Sequence, residues 1–530
     1  MPTVLTRLDE IASIDDAKPG VVWLERIAFA FLVLMVIFAP HSIAATQTAW
    51  LIGMTAWLAR LFMKPRVKFQ FTALDAALWA FFLWSIITSF TSYAPDISIN
   101  KLRGVAVFLI FYFVLYNTRT RRAAHFLAFA LIASCMVNVL WTPVQRLIGR
   151  GVEIHGLAPD SPLAKAFLWE GDTLLEANGK KLKTPEDVVA AIEQNESTKV
   201  KFYRPDFDFV VEVKRADLLT GGDAMSQLGI TSWKKSRNWR SSGFYGHYAT
   251  YSEVLQLIAS LVFGLLVALV AALFTQRRKD AKESEGNSAA TSPRLPFSLA
   301  PLLLFCLVAM SLALLLTVTR ASQLAFMISG AAIVAVGLGR KWLVAAVAIG
   351  LPIAIIGVLF LQQSRQVGFF DPNDESIKWR QTVWREGYNL WTSSPRNFVL
   401  GVGMDSSHRF APEWHMFDDG RLNPGHFHST PLNLVVERGL PALLLWLIVL
   451  GVYARTLWRG LNRQSEIRDP KSTGVLLGCL GGAIGFFASG LVHYNLGDQE
   501  VAMTLFLLMG LGVGLIQNED LSATNEQTAD

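Results

Sequence analysis

Blocks of nearly uninterrupted apolar sequence recur along this 530-residue chain, each roughly 17–25 residues long. That is the length an α-helix needs to cross a hydrocarbon core of about 30 Å. The blocks fall at 24–41, 44–62, 72–91, 101–117, 123–141, 248–274, 297–318, 321–339, 341–361, 432–454, 472–492 and 497–517. So many blocks cannot share one water-facing core, so the expected fold is an all-α polytopic membrane protein of about twelve transmembrane helices. The composition agrees, with 52% hydrophobic residues and a mean hydropathy of +0.37.

The formal net charge of +6 invites the thought of a nucleic-acid partner, but its placement argues against one. Arg60/Lys64/Arg66/Lys68, Arg119/Arg121/Arg122, Arg277/Arg278/Lys279, Arg340/Lys341 and Arg455/Arg459/Arg463/Arg468 all cluster at even-numbered gaps between blocks. The positive-inside rule puts those gaps, and both termini, in the cytoplasm. Near the start, Asp9, Glu10, Asp15 and Asp16 replace the basic region of a signal peptide, so the first span reads as an uncleaved anchor. Cys135, Cys306 and Cys479 lie within apolar blocks and imply no disulfide framework.

Two odd-numbered gaps are long, about 142–247 and 362–431, and the topology makes both extracytoplasmic. The cytoplasmic stretch 276–295 is polar and Ser/Ala-rich and reads as a disordered linker, as does the cytoplasmic tail 518–530. The first long gap has the texture of a small α+β domain. Asp172–Ala177, Asn178-Gly179 and Lys180–Lys183 read as strand, type I′ turn and strand. Thr184-Pro185-Glu186-Asp187 starts a helix, with Val188, Val189 and Ile192 on its buried face. Val200–Arg204 and Phe207–Val213 supply two more strands.

Gly156-x4-Ser161-Pro162-x-Ala164, Glu170-Gly171-Asp172, Asn178-Gly179 and the Thr184 helix start follow the order and spacing of bacterial PDZ domains, which the stretch resembles. The inserted PDZ-like domain is placed at 148–218. The resemblance implies capture of an extracytoplasmic protein partner by strand addition; a spacer or lid is the other reading.

Some charges break the topology rule. Arg320, in Thr317-Val-Thr-Arg-Ala-Ser-Gln323, sits where two apolar blocks meet on the extracytoplasmic side. Ionisable groups at that depth line cavities, find partners or snorkel. Lys101 and Arg103 lie on the same side. Ile377–Trp391 has helical spacing with Arg380 and Trp384 on one face, as an interfacial anchor would also have. Leu400-Gly-Val-Gly-Met404 follows Pro395 without the strand–helix context of a nucleotide loop. His426-Phe-His428-Ser429 precedes a helix that Ser429 or Thr430 can cap, with Pro431 in its first turn. A helix N-terminus favours anions and a neutral imidazole at His428. The histidine pair matches no strong metal-ligand pattern, and no metal is assigned. Glu437, two turns into the span, calls for a polar cavity.

Together these segments resemble the O-antigen ligase and polymerase family. Its core pattern appears here as Thr317-Val-Thr-Arg320, Arg380-x3-Trp384, Pro395 with Gly401-Val-Gly403, and His428-Ser429-x9-Gly439. Upstream, Arg240-Ser-Ser-Gly-Phe-Tyr-Gly-His247 looks like the family's segment entering the next helix. His493-Tyr-Asn495 looks like its polar break between the last two spans. The PDZ-like insertion departs from typical ligases. This divides the chain into an N-terminal membrane part (1–141), the insertion, and a ligase-like membrane part (240–517) that includes the 362–431 loop.

The resemblance implies a multi-pass protein of the bacterial inner membrane. It implies transfer of a glycan from a polyprenyl-diphosphate carrier to an acceptor hydroxyl on the extracytoplasmic face, without cofactor or metal. In that reaction Arg320 and Arg380 hold the diphosphate, Arg240 and Arg103 assist, and His428 takes or orients the acceptor proton. Trp384, Glu437, His426 and His247 are further substrate-side candidates. A lipid-linked core sugar as acceptor would make the chain a ligase. The end of another glycan would make it a polymerase, and a protein hydroxyl a protein O-oligosaccharyltransferase. A transporter or a PDZ-tethered scaffold is the non-enzyme alternative; a transporter would carry mid-span charges and a two-fold repeat, and neither is evident.

Overall fold

The structure, a computed structural model, describes residues 4–14, 18–67, 69–204, 207–284, 299–365, 375–422, 425–462 and 469–527. Asp15, Asp16, Lys68, Arg463, Arg468 and parts of the 276–295 and 362–431 segments lie outside the described residues. The protein is mostly helical with one small sheet. Among the described residues, nine helices are long and apolar enough to cross a membrane, where about twelve blocks were expected. The other three blocks are helical as well, at Ile43–Leu61, Asp75–Phe90 and Arg340–Arg365. Asp75–Phe90 is apolar but only 16 residues long.

Two expectations of disorder need correcting. The helix that begins at Tyr248 continues to Ser284, through the first half of the presumed linker, and the last helix runs from Gln499 to Gln527. Gln, Arg, Lys, Ala and Glu, which dominate 276–284, are good helix formers, and in both segments extending an existing helix carries no nucleation cost.

The chain divides into two compact units. The first comprises 1–138, 244–315 and 319–530. Its tightest pairing sets Tyr248–Ser284 against Pro470–Gly490. A Cβ on Gly264 would strike the backbone of Gly474 and Gly478, so small residues let these two helices touch main chain to main chain. Ser252 and Ser260 meet Ser322 and Ser329 at 2.8 and 2.7 Å, tying Tyr248–Ser284 to the Arg320–Gly337 helix. Buried Glu25 is held by Arg60 at 2.7 Å and Arg119 at 3.0 Å, so two residues of the basic clusters also serve the packing.

The second unit comprises 139–243 with 316–318, wider than the expected 148–218. Its strands are β1 (Arg150–Leu157), β2 (Thr173–Ala177), β3 (Lys180–Lys181), β4 (Ser197–Arg204), β5 (Phe207–Lys214) and β6 (Ile230–Ser236). The order is β5-β4-β2-β1-β6, with β3 paired to β2 and all pairs antiparallel. Alternation puts Val152, Ile154, Leu174, Val200 and Phe202 on one face, where Val188 and Ile192 of the Pro185–Glu193 helix cover them. That helix starts as expected, with the Asp187 carboxylate accepting the backbone N–H groups of Lys183 and Thr184 at 2.9 and 3.1 Å. β1 and β6, neither of them read as a strand in the sequence, pair through Ile154–Trp233 and Leu157–Ile230.

Candidate active site

The site is built around a broken helix. Thr430–Asn462 is interrupted at Gly439, whose φ of 74° is left-handed, and Pro441 has no N–H to give the turn before it. The carbonyls of Val436, Glu437 and Arg438 therefore need other donors. Val402 and Gly403 donate their N–H groups to Val436 and Glu437, both at 2.8 Å. The Trp84 indole donates to the Arg438 carbonyl at 2.8 Å. A side chain on Gly439 would run into the Val399 carbonyl, and one on Gly401 into the Glu437–Arg438 backbone. The Gly401-Val-Gly403 turn and Gly439, separate motifs in the sequence, are thus two halves of one joint.

The joint presents Glu437 and Arg438 inside the first unit, 7% and 3% exposed, which excludes a lipid-facing role for either. The Glu437 carboxylate accepts the Asp405 N–H and the Tyr494 hydroxyl, both at 3.3 Å. Arg438 reaches Ser85 Oγ at 3.3 Å and the Tyr494 oxygen at 3.4 Å. Burial first, then the Glu437 carboxylate, raises the Tyr494 pKa well above that of an ordinary phenol.

His428 sits just before this helix in a left-handed backbone conformation (φ 47°), unusual for a residue with a side chain. Such an outlier persists only where its surroundings enforce it. The edge of Trp379 packs on the ring at 4.4 Å, and the His428 N–H donates to His426 Nδ1 at 3.2 Å. With Nδ1 accepting, a neutral His426 carries its proton on Nε2. The two imidazoles lie 4.0 Å apart. Between them, the Phe427 carbonyl accepts the Trp384 indole N–H at 2.8 Å. Ser429 caps the following helix, its carbonyl accepting the Asn433 N–H at 2.9 Å.

Arg380 and Trp384 come from Glu375–Thr392, as the four-residue spacing predicts. Burial lowers the His428 pKa to about 2, helped by positive charge from His426, Arg380, His493 and His247. Desolvation by the surrounding loop, then His493 and His247, likewise lower His426 to about 4, although its side chain keeps a solvent-exposed side. His428 is therefore a neutral imidazole at physiological pH, with the Arg380 guanidinium as the permanent cation acting on it.

The break between the last two helices closes the site. The His493 carbonyl accepts Thr430 N–H and Oγ1 at 3.0 and 3.1 Å. Asn495 Oδ1 accepts from Thr430 Oγ1 at 2.8 Å, and the Tyr494 ring lies 5.6 Å from His426. His493 Nδ1 meets Glu253 Oε1 at 2.5 Å. Glu253 was missed in the sequence, although a lone carboxylate early in an apolar span is a usable signal.

His426, His428, Arg380, Trp384 and Glu437 are thus gathered together, with His247 electrostatically in range. Arg320 opens its helix in the same unit, half-buried, but does not figure among the largest influences on His428. Arg103 is exposed on Pro95–Val105. Arg240 belongs to the second unit, where it donates to the Thr317 and Val318 carbonyls at 3.3 and 3.1 Å. Among the described residues, no three His, Cys, Asp or Glu side chains gather as a metal-ligand set.

Residues 305–447 match a family model described as O-Antigen ligase. The matched segment carries Arg320, Arg380, His426, His428, Glu437 and the Gly439 joint. It supports an enzyme of the O-antigen ligase or polymerase type, working at a membrane in glycan biosynthesis. No curated protein matches the chain.

Proposed function

We propose that this protein transfers a glycan from a polyprenyl-diphosphate carrier to an acceptor hydroxyl on the extracytoplasmic face of the bacterial inner membrane. The observation that carries the reading is the neutral His428 imidazole beside Arg380, inside the segment similar to O-antigen ligases. A sugar diphosphate already has a good leaving group, so the main task is to hold it and neutralise its growing charge. The Arg380 guanidinium does this with paired, charge-assisted hydrogen bonds, and Arg320 is assigned the same role from the other segment. His428 holds the acceptor hydroxyl, since a neutral ring nitrogen accepts a hydrogen bond that an imidazolium cannot.

The six-stranded unit is read as a PDZ-like module. The edges of its sheet, β5 and β6, are where a partner segment adds as a further strand. A protein near the membrane is its expected partner, as acceptor or as part of an assembly. A deletion strain tests the reading when lipopolysaccharide banding, secreted polysaccharide and glycoprotein mobility are followed together. Loss of one glycan product identifies the acceptor class; no change in any of the three contradicts the proposal.

A further inference from the structure

Two buried glutamates in this membrane part are compensated in opposite ways. Glu25 is gripped by Arg60 and Arg119, two permanent cations. Glu253, in the second turn of Tyr248–Ser284 and 3% exposed, has an imidazole instead: His493 Nδ1 at 2.5 Å. A carboxylate bonded to Nδ1 fixes the ring, directs its basic lone pair to Nε2, and stabilises the imidazolium once a proton arrives there. Among the described residues, no hydrogen-bond partner meets Nε2 of His493. The dyad also lies at the site. The His493 carbonyl anchors Thr430, two residues past His428, and the ring bears electrostatically on both His426 and His428. The titratable groups around it are Glu253, Asp498, His247, His426 and His428.

Resting on the transfer reaction proposed above, we infer that His493, oriented by Glu253, takes the acceptor's hydroxyl proton, while His428 holds that hydroxyl in place. The O–H proton moves to His493 Nε2 as the acceptor oxygen bonds to the anomeric carbon. The bond from that carbon to the phosphate oxygen breaks, and its electron pair leaves on the polyprenyl diphosphate. Glu253 neutralises the new imidazolium, which then gives its proton to the released diphosphate or to water. A division of labour follows from the surroundings. His428 feels the positive charge of Arg380, whereas the His493 ring is bonded to the Glu253 carboxylate, the partner an imidazolium needs.

The test uses purified full-length protein in liposomes, supplied with membrane extract from a strain lacking the protein, in which unused lipid-linked glycan accumulates. Glu253→Gln keeps a hydrogen bond but removes the charge, and His493→Gln removes the base. Each is expected to slow transfer by about 10²-fold or more, with normal abundance and unchanged donor retention. Should His493→Ala prove poorly folded, added imidazole separates the cases: partial recovery of rate supports a proton-transfer role, which a purely structural histidine would not show. Wild-type rates in both Glu253→Gln and His493→Gln, with Arg380→Ala inactive, overturn this inference and leave the transfer reading standing. Full activity in Arg380→Ala overturns the transfer reading itself.

Discussion

At the scale of single residues, the account rests on Arg380 and His428 doing different jobs at one place. Arg380→Lys keeps the charge and loses the planar two-point grip on diphosphate, so product is expected to fall about 10²-fold, with membrane abundance unchanged. His428→Ala is expected to abolish transfer while the protein still inserts. If both residues are only interfacial anchors, lysine replaces arginine well and product tracks protein level; quantifying both by immunoblot and glycan gel separates the cases. The depressed pKa of His428 has a consequence for stability. Its folded value lies near 2 against 6.5 for a free imidazole, so below pH 6.5 the unfolded chain binds this proton first. The stability gained by keeping the ring neutral is complete above pH 6.5 and is lost as the pH falls from there toward 2. His428→Gln in detergent should therefore lose less Tm than wild type between pH 7 and pH 5; equal losses would contradict the assignment. Arg380, Trp384 and His428 were legible because helical spacing and a capping pattern are local. The Glu253–His493 and Glu437–Tyr494 pairings were not, because each joins segments far apart in the chain and only packing brings them together.

At the scale of elements, the joint at Gly439 is the feature most open to a mechanical test. Gly439→Ala places a side chain against the Val399 carbonyl in a left-handed conformation. A cost of about 1–3 kcal/mol is expected, seen as a lower Tm together with lost transfer. Trp84→Phe leaves the buried Arg438 carbonyl without its donor, and should cost about 1–3 kcal/mol as well. Unchanged melting in both variants would show that the break is not held this way. The glycines were visible in the sequence as a turn and a family motif, but their docking on each other was not, because it depends on which carbonyls the broken helix leaves unpaired. The sheet unit teaches the same lesson. β2 to β5 were read from short strand-like runs and the Asn178-Gly179 turn, whereas β1 and β6 were not, and β6 lies beyond Gly221-Gly222 and carries exposed lysines. A fragment ending at 218 lacks β6 and bares the β1 edge; one spanning 149–238 keeps the whole sheet. The longer fragment is expected to give dispersed NMR spectra and the shorter one to be less stable in urea; the reverse would contradict the strand order.

At the scale of the whole molecule, the basic clusters set the expected orientation and the apolar blocks set the membrane. Fusion reporters should place residues 180 and 410 outside and residues 64, 285 and 460 in the cytoplasm; a cytoplasmic signal at 180 or 410 would remove the site from the face where the proposed chemistry occurs. The membrane class was legible because a span has to be long and apolar whatever packs around it. The number of spans was less so, since Ile43–Leu61 and Asp75–Phe90 show that a helix in a membrane part need not reach the length or hydropathy of an isolated span. The most direct measurement is made with purified protein in liposomes, given lipid-linked glycan and acceptor extracted from the deletion strain. Free polyprenyl diphosphate and glycosylated acceptor are counted over time. The account predicts that the two appear in equal amounts, and that neither appears with the Arg380→Ala, His428→Ala double variant. Equal product from that variant, or glycan crossing the bilayer with its carrier bond intact, would contradict it.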